Sequence, residues 1–248
     1  MNKLIKELEV FQCSIKEIKA SHNLSKKYEK LKSSFDRLAK YLMYGGYFFC
    51  SSKYDLFITG IEFYYHEEKG DIKDPIVYHR NKSKWNKKEN KLETKNVPFF
   101  PIGTINPHIS GIDITFECPE EYRASALIRA FVVYDKVKHV FLNEDKRSTY
   151  VYDYFFDGLT VEKGSLKLMW KECIEDCYNQ PADELLLRKP RRNVYQYTCS
   201  DIIVKDGPDA EYKITKPKLL CDRLWGYSRT QNDIFEKNRK STDILSRF

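Results

Sequence analysis

The sequence predicts a mixed α and β fold in a single domain, from three observations. Apolar residues recur at helical spacing through the first 45 residues, strand-like apolar runs follow between residues 47 and 156, and no internal repeat or linker divides the chain. With 248 residues, the chain is long enough to bury one large core. Its 42% hydrophobic and 15% aromatic residues exclude a disordered polypeptide.

Helices are predicted first at the N-terminus, because their apolar residues are spaced by three and four. The residues that carry the two helical patterns are Leu4, Leu8, Phe11, Ile15 and Ile18, then Leu31, Phe35, Leu38 and Leu42. Two more helices are predicted over residues 166–179 and 217–227.

Strands are predicted where apolar residues alternate or run continuously between polar segments. These strands cover residues 47–50, 54–65, 110–117, 124–135, 138–143 and 150–156. Residues 66–100 are polar, and we interpret them as a long loop or insertion, which in a compact domain indicates function or disorder.

Charge and composition restrict the classes of partner. A net charge of +7 favours an anionic partner such as nucleic acid, although an excess of lysine also keeps many proteins in solution. The first residues lack the apolar run of a signal peptide, and no segment has the roughly 20 apolar residues of a membrane span. We therefore expect a cytoplasmic protein with no membrane partner.

Cysteines and motifs exclude several reaction classes. The seven cysteines are widely spaced, which favours reduced thiols over a zinc or iron–sulfur site, so no metal is expected. The chain has no phosphate-binding glycine loop, no dinucleotide-binding glycine pattern, no GxSxG and no HExxH. Phosphoryl transfer, NAD chemistry and zinc hydrolysis are therefore disfavoured.

One glutamate lies in the middle of an apolar strand. Counted by twos, Glu62 shares a face with Leu56 and Ile58. A lone buried carboxylate is costly, so it is either neutralised by an arginine or used as a general base. Aromatic and imidazole side chains that could surround a reacting group lie close by in sequence, at Tyr64, Tyr65 and His79.

Arg129 interrupts the most apolar strand. By alternation it shares a face with Leu127, Phe131 and Val133. A guanidinium on an apolar face requires an anion, which is either a protein carboxylate or a phosphate.

The segment before the strand over residues 110–117 contains Asn106, Pro107 and His108, which we place at a turn. A rigid turn could serve as a wedge that opens a duplex, or it could be an ordinary loop. Asp113 lies on the more polar side of that strand, where exposure to solvent is its simplest explanation.

Basic residues are concentrated in two places that suit contacts with phosphates, although such runs are also common on solvated surfaces. Residues 80–95 contain seven basic and two acidic residues, among them Arg80 and Lys84. The second run, LRKPRRN over residues 187–193, contains Arg188, Lys189, Arg191 and Arg192.

Seven short motifs occur in an order that resembles the alkyladenine (3-methyladenine) DNA glycosylase superfamily. They are FDRLAKYL (35–42), GIEFYY (60–65), DPIVYH (74–79), GTI (103–105), IDIT (112–115), ALIRA (126–130) and KPKLLCDRL (216–224). The resemblance extends over roughly residues 33–227, and its most specific parts are GIEFYY and ALIRA.

The resemblance implies a single α+β domain built on a curved, mainly antiparallel sheet flanked by helices. Residues 1–32 would form a helical extension, and residues 33–248 a catalytic domain with a basic insertion around 66–100. It implies a monomeric, monofunctional glycosylase that needs no cofactor, flips a damaged or modified base out of double-stranded DNA and hydrolyses its N-glycosidic bond.

The resemblance also implies roles for individual residues. Glu62 would deprotonate the attacking water, and Arg129 would hold that water or a backbone phosphate. Tyr64 and His79 would stack on the flipped base, and Asp113 stands where the family has an asparagine that vets the base.

The remaining assignments place Tyr65 in the base pocket and a residue among 106–108 in the gap left by the flipped base. The biological role is open between DNA repair and defence against phage DNA that carries bulky modified bases. Two alternatives remain: a non-catalytic nucleic-acid-binding protein on the same fold, and a structural protein in which Glu62 and Arg129 only pair with each other.

Overall fold

A computed structural model describes residues 3–19, 24–74, 76–86, 88–154, 169–172, 181–191, 203–205, 211–213 and 223–230. It has a mixed α+β architecture in which a curved antiparallel sheet is accompanied by a few helices, with two of them at the N-terminus. The fold class predicted from the sequence is therefore confirmed.

The helical elements lie mainly before the sheet. The α-helices are α1 (Lys3–Lys19), α2 (Leu24–Tyr44) and the short α3 (Ala182–Leu185). A 3-10 turn (Ser148–Tyr150) continues into one helical turn over residues 151–154. Both predicted N-terminal helices are confirmed.

The strands of the described residues follow in chain order. They are β1 (Gly46–Phe49), β2 (Tyr54–Glu67), β3 (Lys82–Asn86), β4 (Lys91–Lys95), β5 (Ile105–His108), β6 (Gly111–Thr115), β7 (Tyr122–Asp135), β8 (Val140–Phe141), β9 (Met169–Glu172), β10 (Leu186–Lys189), β11 (Ile203–Lys205), β12 (Glu211–Lys213) and β13 (Gly226–Arg229).

Within the described part of the chain, nine strands form one sheet with the central order β10-β13-β2-β7-β6-β5. Strand β1 pairs with β2 and β9, and β8 pairs with β7. All of these pairs are antiparallel, and β3–β4 and β11–β12 form separate two-stranded ribbons. The sheet is therefore organised around its two longest strands, β2 and β7.

The polar stretch 66–100 is not entirely a loop, because it contains the β3–β4 hairpin. Lys82 lies opposite Lys95, and Asn86 lies opposite Lys91. The turn is built by asparagines: the Asn86 side chain accepts hydrogen bonds from the two amides of residues 88 and 89, and Asn90 has a φ of 49°. The asparagines of NKKEN (86–90) therefore indicate a turn in the sequence. The two strands beside it are rich in lysine and lack alternating apolar residues, so their sequence does not predict them.

The prediction of a strand over residues 150–156 is wrong for its described part, which is helical through residue 154. Val151 and Tyr154 are three apart, as on one helix face, and both belong to or pack against the core. Tyr154 makes edge contacts with the rings of Tyr54 and Phe131. Alternating aromatic residues therefore imitated a strand pattern here.

The predicted C-terminal helices also differ where the structure describes them. In the helix predicted over residues 166–179, residues 169–172 are strand β9, because Trp170 packs across from Phe48 and donates a hydrogen bond to the Tyr41 hydroxyl at 2.9 Å. In the helix predicted over 217–227, Gly226 and Tyr227 belong to β13, which pairs with β2. Residues 166–168, 173–179 and 217–222 lie outside the described residues.

The core lies between the N-terminal helices and one face of the sheet. The Phe35 ring of α2 stacks on Phe63 of β2 with ring centroids 4.4 Å apart, and Phe11 of α1 packs against both Phe35 and Phe116. The inner residues of α1 therefore belong to the same buried cluster as the sheet. The domain boundary drawn after residue 32 falls inside α2.

A β-bulge at Gly60 reverses the faces of β2. Ile58 lies opposite Phe131 and Ile61 lies opposite Ile128, which is one and the same register, but Gly60 between them lies opposite Ala130, so the pairing is irregular on both sides of Gly60. Strand β7 approaches the backbone of Gly60 closely, because a Cβ added at this position would lie 3.1 Å from the Cβ of Ala130.

The bulge corrects two face assignments made from alternation. Leu56 and Ile58 join the buried cluster before the bulge, and the odd-numbered residues Ile61, Phe63 and Tyr65 join it afterwards. Glu62 therefore lies on the opposite face from Leu56 and Ile58. Across the same irregularity, Arg129 shares its face with Leu127 but not with Phe131 and Val133, which are in the cluster.

Replacing Phe35 with alanine is expected to lower the free energy of unfolding by about 3–5 kcal/mol, because it leaves a cavity between α2 and the sheet. Lys32→Ala, on the exposed side of the same helix, is the control and should change stability by no more than about 0.5 kcal/mol. Urea unfolding followed by circular dichroism measures both. Equal effects of the two variants would contradict this packing.

Candidate active site

The face of the sheet turned away from α1 and α2 carries the predicted catalytic residues, and we call it the polar face. Gly226, Glu62, Leu127 and Asp113 lie directly opposite one another on β13, β2, β7 and β6. Directly opposed residues point to the same side of a sheet. The topology therefore places two carboxylates in one row, with Leu127 between them.

Glu62 is held by two side chains. Its Oε2 lies 2.7 Å from Arg129 Nη2 and accepts a hydrogen bond of 3.0 Å from the Tyr64 hydroxyl. Glu62 is 1% exposed, and the Arg129 side chain is 15% exposed. The predicted Glu62, Tyr64 and Arg129 are thus brought together, as a buried carboxylate with two donors.

Electrostatics keeps both donors protonated. Burial raises the pKa of Tyr64, and the charge of Glu62 raises it further, so the hydroxyl retains its proton. Burial by itself lowers the pKa of Arg129, but the charge of Glu62 and the hydrogen bonds to Glu62 and Tyr64 outweigh that effect and the pKa is raised. Such an arrangement orients a carboxylate rigidly, which suits either a base or a buried ion pair.

Arg129 also connects the cluster to the β5–β6 hairpin. Its Nη1 donates to the Ser148 hydroxyl at 3.4 Å, and that hydroxyl donates to the carbonyl of Ser110 at 2.6 Å. The turn of the hairpin is therefore held beside the guanidinium.

Arg191 is a buried neighbour of the cluster and pairs with Asp74. Its Nη1 lies 2.6 Å from Asp74 Oδ2 and its Nη2 donates to Asp74 Oδ1 at 3.3 Å, with both side chains fully buried. The guanidinium also lies over the rings of Tyr64 and Trp225, 4.8 and 5.1 Å from their centroids. Its prediction as a DNA contact is corrected, because this arginine is an internal neighbour of the tyrosine.

Asp113 is 3% exposed, so solvent exposure does not explain it. His108 Nε2 lies 3.2 Å from Asp113 Oδ2. The ring of Tyr78, which is 59% exposed, stacks on His108 with centroids 5.5 Å apart. Neither the contact between His108 and Asp113 nor the stacking of Tyr78 on His108 follows from the motif order.

The predicted turn over residues 106–108 is instead strand β5. Asn106 and Pro107 lie opposite Asp113 and Ile112, and His108 lies opposite Gly111. The tip of the hairpin is Ile109 and Ser110, and Ile109 is 87% exposed. The predicted turn therefore lies at Ile109 and Ser110 instead of 106–108, and the sequence signal for it was the glycine at 111, whose φ is 133°.

Tyr65 is not part of the cluster. It lies on the core face, where its hydroxyl donates to Glu67 Oε1 at 3.0 Å. This corrects the base-pocket assignment, because adjacent strand residues point to opposite faces.

His79 lies in a second buried cluster, further along the polar face. Its Nδ1 contacts Glu117 Oε1, and the same carboxylate lies 3.3 Å from Arg123 Nη1. Glu117 is four residues beyond Asp113 along the chain. No contact of His79 with Glu62 or Tyr64 occurs among the described side chains, which corrects its assignment to the same base pocket.

The other basic residues predicted to contact DNA differ in their exposure and in their partners. Arg188 is neutralised by Asp36, 2.7 Å away, and by Asp183, which corrects its assignment as a phosphate ligand. Lys189 is half-buried on β10, and Arg80 is half-buried and donates to the carbonyl of Asn81 at 3.1 Å. Lys84 lies on β3, and Arg192 is outside the described residues.

The part of the chain that the structure describes offers neither a metal site nor a membrane span. There, no group of three or more histidine, cysteine, aspartate or glutamate side chains is arranged to hold a metal ion. None of the helices in these ranges combines the length and apolar character needed to cross a membrane.

Comparisons with protein-family models, curated proteins and solved structures found no match to this chain. The resemblance to the alkyladenine DNA glycosylases therefore rests on the sequence motifs.

Replacing Arg129 with methionine is expected to lower the free energy of unfolding by about 3–5 kcal/mol, because Glu62 would remain as an uncompensated buried charge. The double variant Glu62→Gln/Arg129→Met removes that charge and should recover most of the loss. Urea unfolding at pH 7 measures both. A single variant as stable as the wild type would contradict the burial of this ion pair.

Proposed function

We propose that the chain is a DNA glycosylase that flips a damaged or modified base out of double-stranded DNA and hydrolyses its N-glycosidic bond. The observation that carries the proposal is the buried Glu62 carboxylate, fixed by Arg129 and Tyr64 beside an exposed hairpin tip. The motif order GIEFYY and ALIRA supplies these three residues together.

In this mechanism, Glu62 takes a proton from a water molecule while the oxygen of that water bonds to C1′ of the nucleotide. The bond from C1′ to the base nitrogen breaks, and its electron pair leaves with the base through an oxocarbenium-like transition state. Arg129 orients the carboxylate and can contact the water, and the ring of Tyr64 offers a surface for the flipped base.

Access to Glu62 runs past its two partners. Glu62 is almost fully buried, but Arg129 is partly exposed and Tyr64 is half-buried. Both therefore form the side of the cluster that a substrate meets first.

The rim of this region suits a DNA duplex. Ile109, Tyr78 and Tyr150 are exposed apolar or aromatic side chains on the hairpin tip and the segments in contact with it. Exposed apolar side chains on a rigid tip can insert into a base stack and occupy the space of a flipped base. The lysine-rich β3–β4 ribbon supplies positive charge for phosphates.

A non-catalytic nucleic-acid-binding protein is the second candidate. The observation that favours it is that Arg129 already neutralises Glu62, as an arginine in a purely structural ion pair would. Both candidates predict salt-sensitive DNA binding, so only product formation separates them.

Glu62→Gln is expected to lower base excision by about 100-fold or more, because the general base is lost while the amide oxygen can still accept from Tyr64. The assay counts alkali-labile breaks in normal, alkylated, deaminated and hydroxymethylcytosine-containing DNA, and in glucosylated phage DNA. DNA affinity should remain near that of the wild type. The substrate that is cleaved separates repair from phage defence.

Glu29→Gln, an exposed position on α2, is the matched control and should retain full activity. Full activity of Glu62→Gln would eliminate Glu62 as the base. DNA binding without breaks in any of these substrates would favour the non-catalytic protein.

Ile109→Ala is expected to lower excision about tenfold without changing the melting temperature, because the tip loses apolar surface worth about 1.5 kcal/mol when buried in a base stack. Val137→Ala is the matched control, since Val137 is also an exposed apolar residue but lies in the turn between β7 and β8. Equal effects of the two variants would remove the hairpin tip from the mechanism.

A further inference from the structure

Arg223 is a buried cation that has no carboxylate partner among the described residues. It lies just before β13 and is 7% exposed. Its Nη1 donates to the carbonyl of Lys73 at 2.8 Å, and its Nη2 donates to the Tyr28 hydroxyl at 2.6 Å. Both acceptors are uncharged. Buried charges in proteins are normally paired, so this guanidinium lacks the anion that its burial requires.

A carboxylate does lie in this region, but another arginine already occupies it. Both oxygens of Asp74 are bound to Arg191, at 2.6 and 3.3 Å. The two guanidiniums lie over the same ring, that of Trp225, with Arg223 4.7 Å and Arg191 5.1 Å from its centroid. Burial lowers the pKa of Arg223, and that effect outweighs the opposing charges of Tyr28 and Asp74. Two arginines therefore share one carboxylate, and a net positive charge remains.

The remaining hydrogen-bond donors define the chemistry of a ligand. Arg223 Nε is buried without a partner among the described residues. Nε and Nη2 form one edge of a guanidinium, and such an edge binds an oxyanion through two parallel hydrogen bonds. The Tyr28 hydroxyl accepts from Nη2, so its own hydrogen can be donated to a further acceptor beside that edge. A ligand at this edge meets donors and positive charge, which selects an anion.

Access to this edge runs past Tyr28. The tyrosine is half-buried in the second turn of α2, and the Arg223 guanidinium lies 5.2 Å from the centroid of its ring. The exposed Asp71 is bound to Lys27 at 2.6 Å, so the charge of that lysine is already compensated. A rotation of the Tyr28 ring would open the edge of Arg223 to an anion from the solvent.

We propose that Arg223 and Tyr28 form a binding site for a phosphate group. A phosphate offers several acceptor oxygens at once, to Nε and Nη2 of the arginine and to the tyrosine hydroxyl, and its charge compensates the guanidinium. The group comes either from the backbone of a nucleic acid or from a free phosphate, which share this chemistry. The site goes beyond the glycosylase function proposed above and does not depend on it.

Thermal unfolding of the full chain tests the site with inorganic phosphate as the probe. In about 20 mM phosphate, compared with sodium chloride at the same ionic strength and pH, we expect the wild-type melting temperature to rise by about 3–6 °C, because a ligand of the folded state stabilises it. Arg223→Met removes the charge but keeps a long side chain, and it should reduce the rise to less than about 1 °C.

Two further variants sharpen this measurement. Tyr28→Phe removes only the hydroxyl, and about tenfold more phosphate should be needed for the same rise. Arg37→Met is the matched control, because Arg37 is also an arginine in contact with a residue of the N-terminal helices but is exposed and paired with Glu7. This control should keep the full rise.

Binding to a DNA duplex of about 12 base pairs, measured at several salt concentrations, distinguishes the two sources of phosphate. If the phosphate belongs to a nucleic acid, Arg223→Met should reduce the slope of log affinity against log salt concentration by about 1, because one phosphate contact is lost. If a free phosphate is the ligand, Arg223→Met should lose the rise in melting temperature and bind the duplex with the wild-type slope.

The site is overturned if Arg223→Met matches the wild type both in its response to phosphate and in the salt slope of DNA binding. Where Arg223→Met does not fold, Tyr28→Phe decides in the same way, because it keeps the ring that lies against the guanidinium. None of these measurements counts excised bases. Failure of the phosphate site would therefore leave the glycosylase function standing, and the reverse also holds.

Discussion

The antiparallel pairing of β2 with β7, interrupted at Gly60, is the constraint on which the rest of the structure depends. Each strand has 14 residues, and together they form the centre of the sheet. On one side of the bulge Leu56 and Ile58 face the helices, and on the other side Ile61 and Phe63 do. A regular strand would turn either the first or the second pair away from the core.

The same bulge decides where the charges lie. Glu62 and Arg129 flank the irregularity on facing strands and point away from the aromatic core formed by Phe11, Phe35 and Phe63. Without the bulge, the carboxylate would share a face with Leu56 and Ile58. The bulge therefore allows one strand to supply both a continuous apolar core and a polar face.

Burying charge is costly, and three buried carboxylates outside the apolar core each have an arginine partner. Asp74 pairs with Arg191, and Glu117 pairs with Arg123, as Glu62 pairs with Arg129. A buried ion pair stabilises a fold no better than well-packed apolar residues of the same volume. The three pairs are therefore not explained by the stability that they add to the fold.

The sequence by itself determined the N-terminal helices and the two central strands. It also singled out Glu62, Tyr64 and Arg129, which the structure brings into one cluster. Those features are local, since helical and strand periods and short motifs depend on neighbouring residues. Alternation within a strand holds only while the register is regular, so the bulge at Gly60 was not visible. The β3–β4 ribbon was likewise hidden, because lysine-rich strands carry no apolar period.

Only the tertiary structure decided which partner each polar side chain has. Arg188 and Arg191 lie in one basic run, yet long-range contacts bring Asp36 to the first and Asp74 to the second. His79 reaches Glu117 instead of Glu62, and the hairpin tip is Ile109 because β5 pairs with β6 as far as His108. Charge pairing acts between residues distant in sequence, and its outcome is set by the positions that the packed sheet imposes.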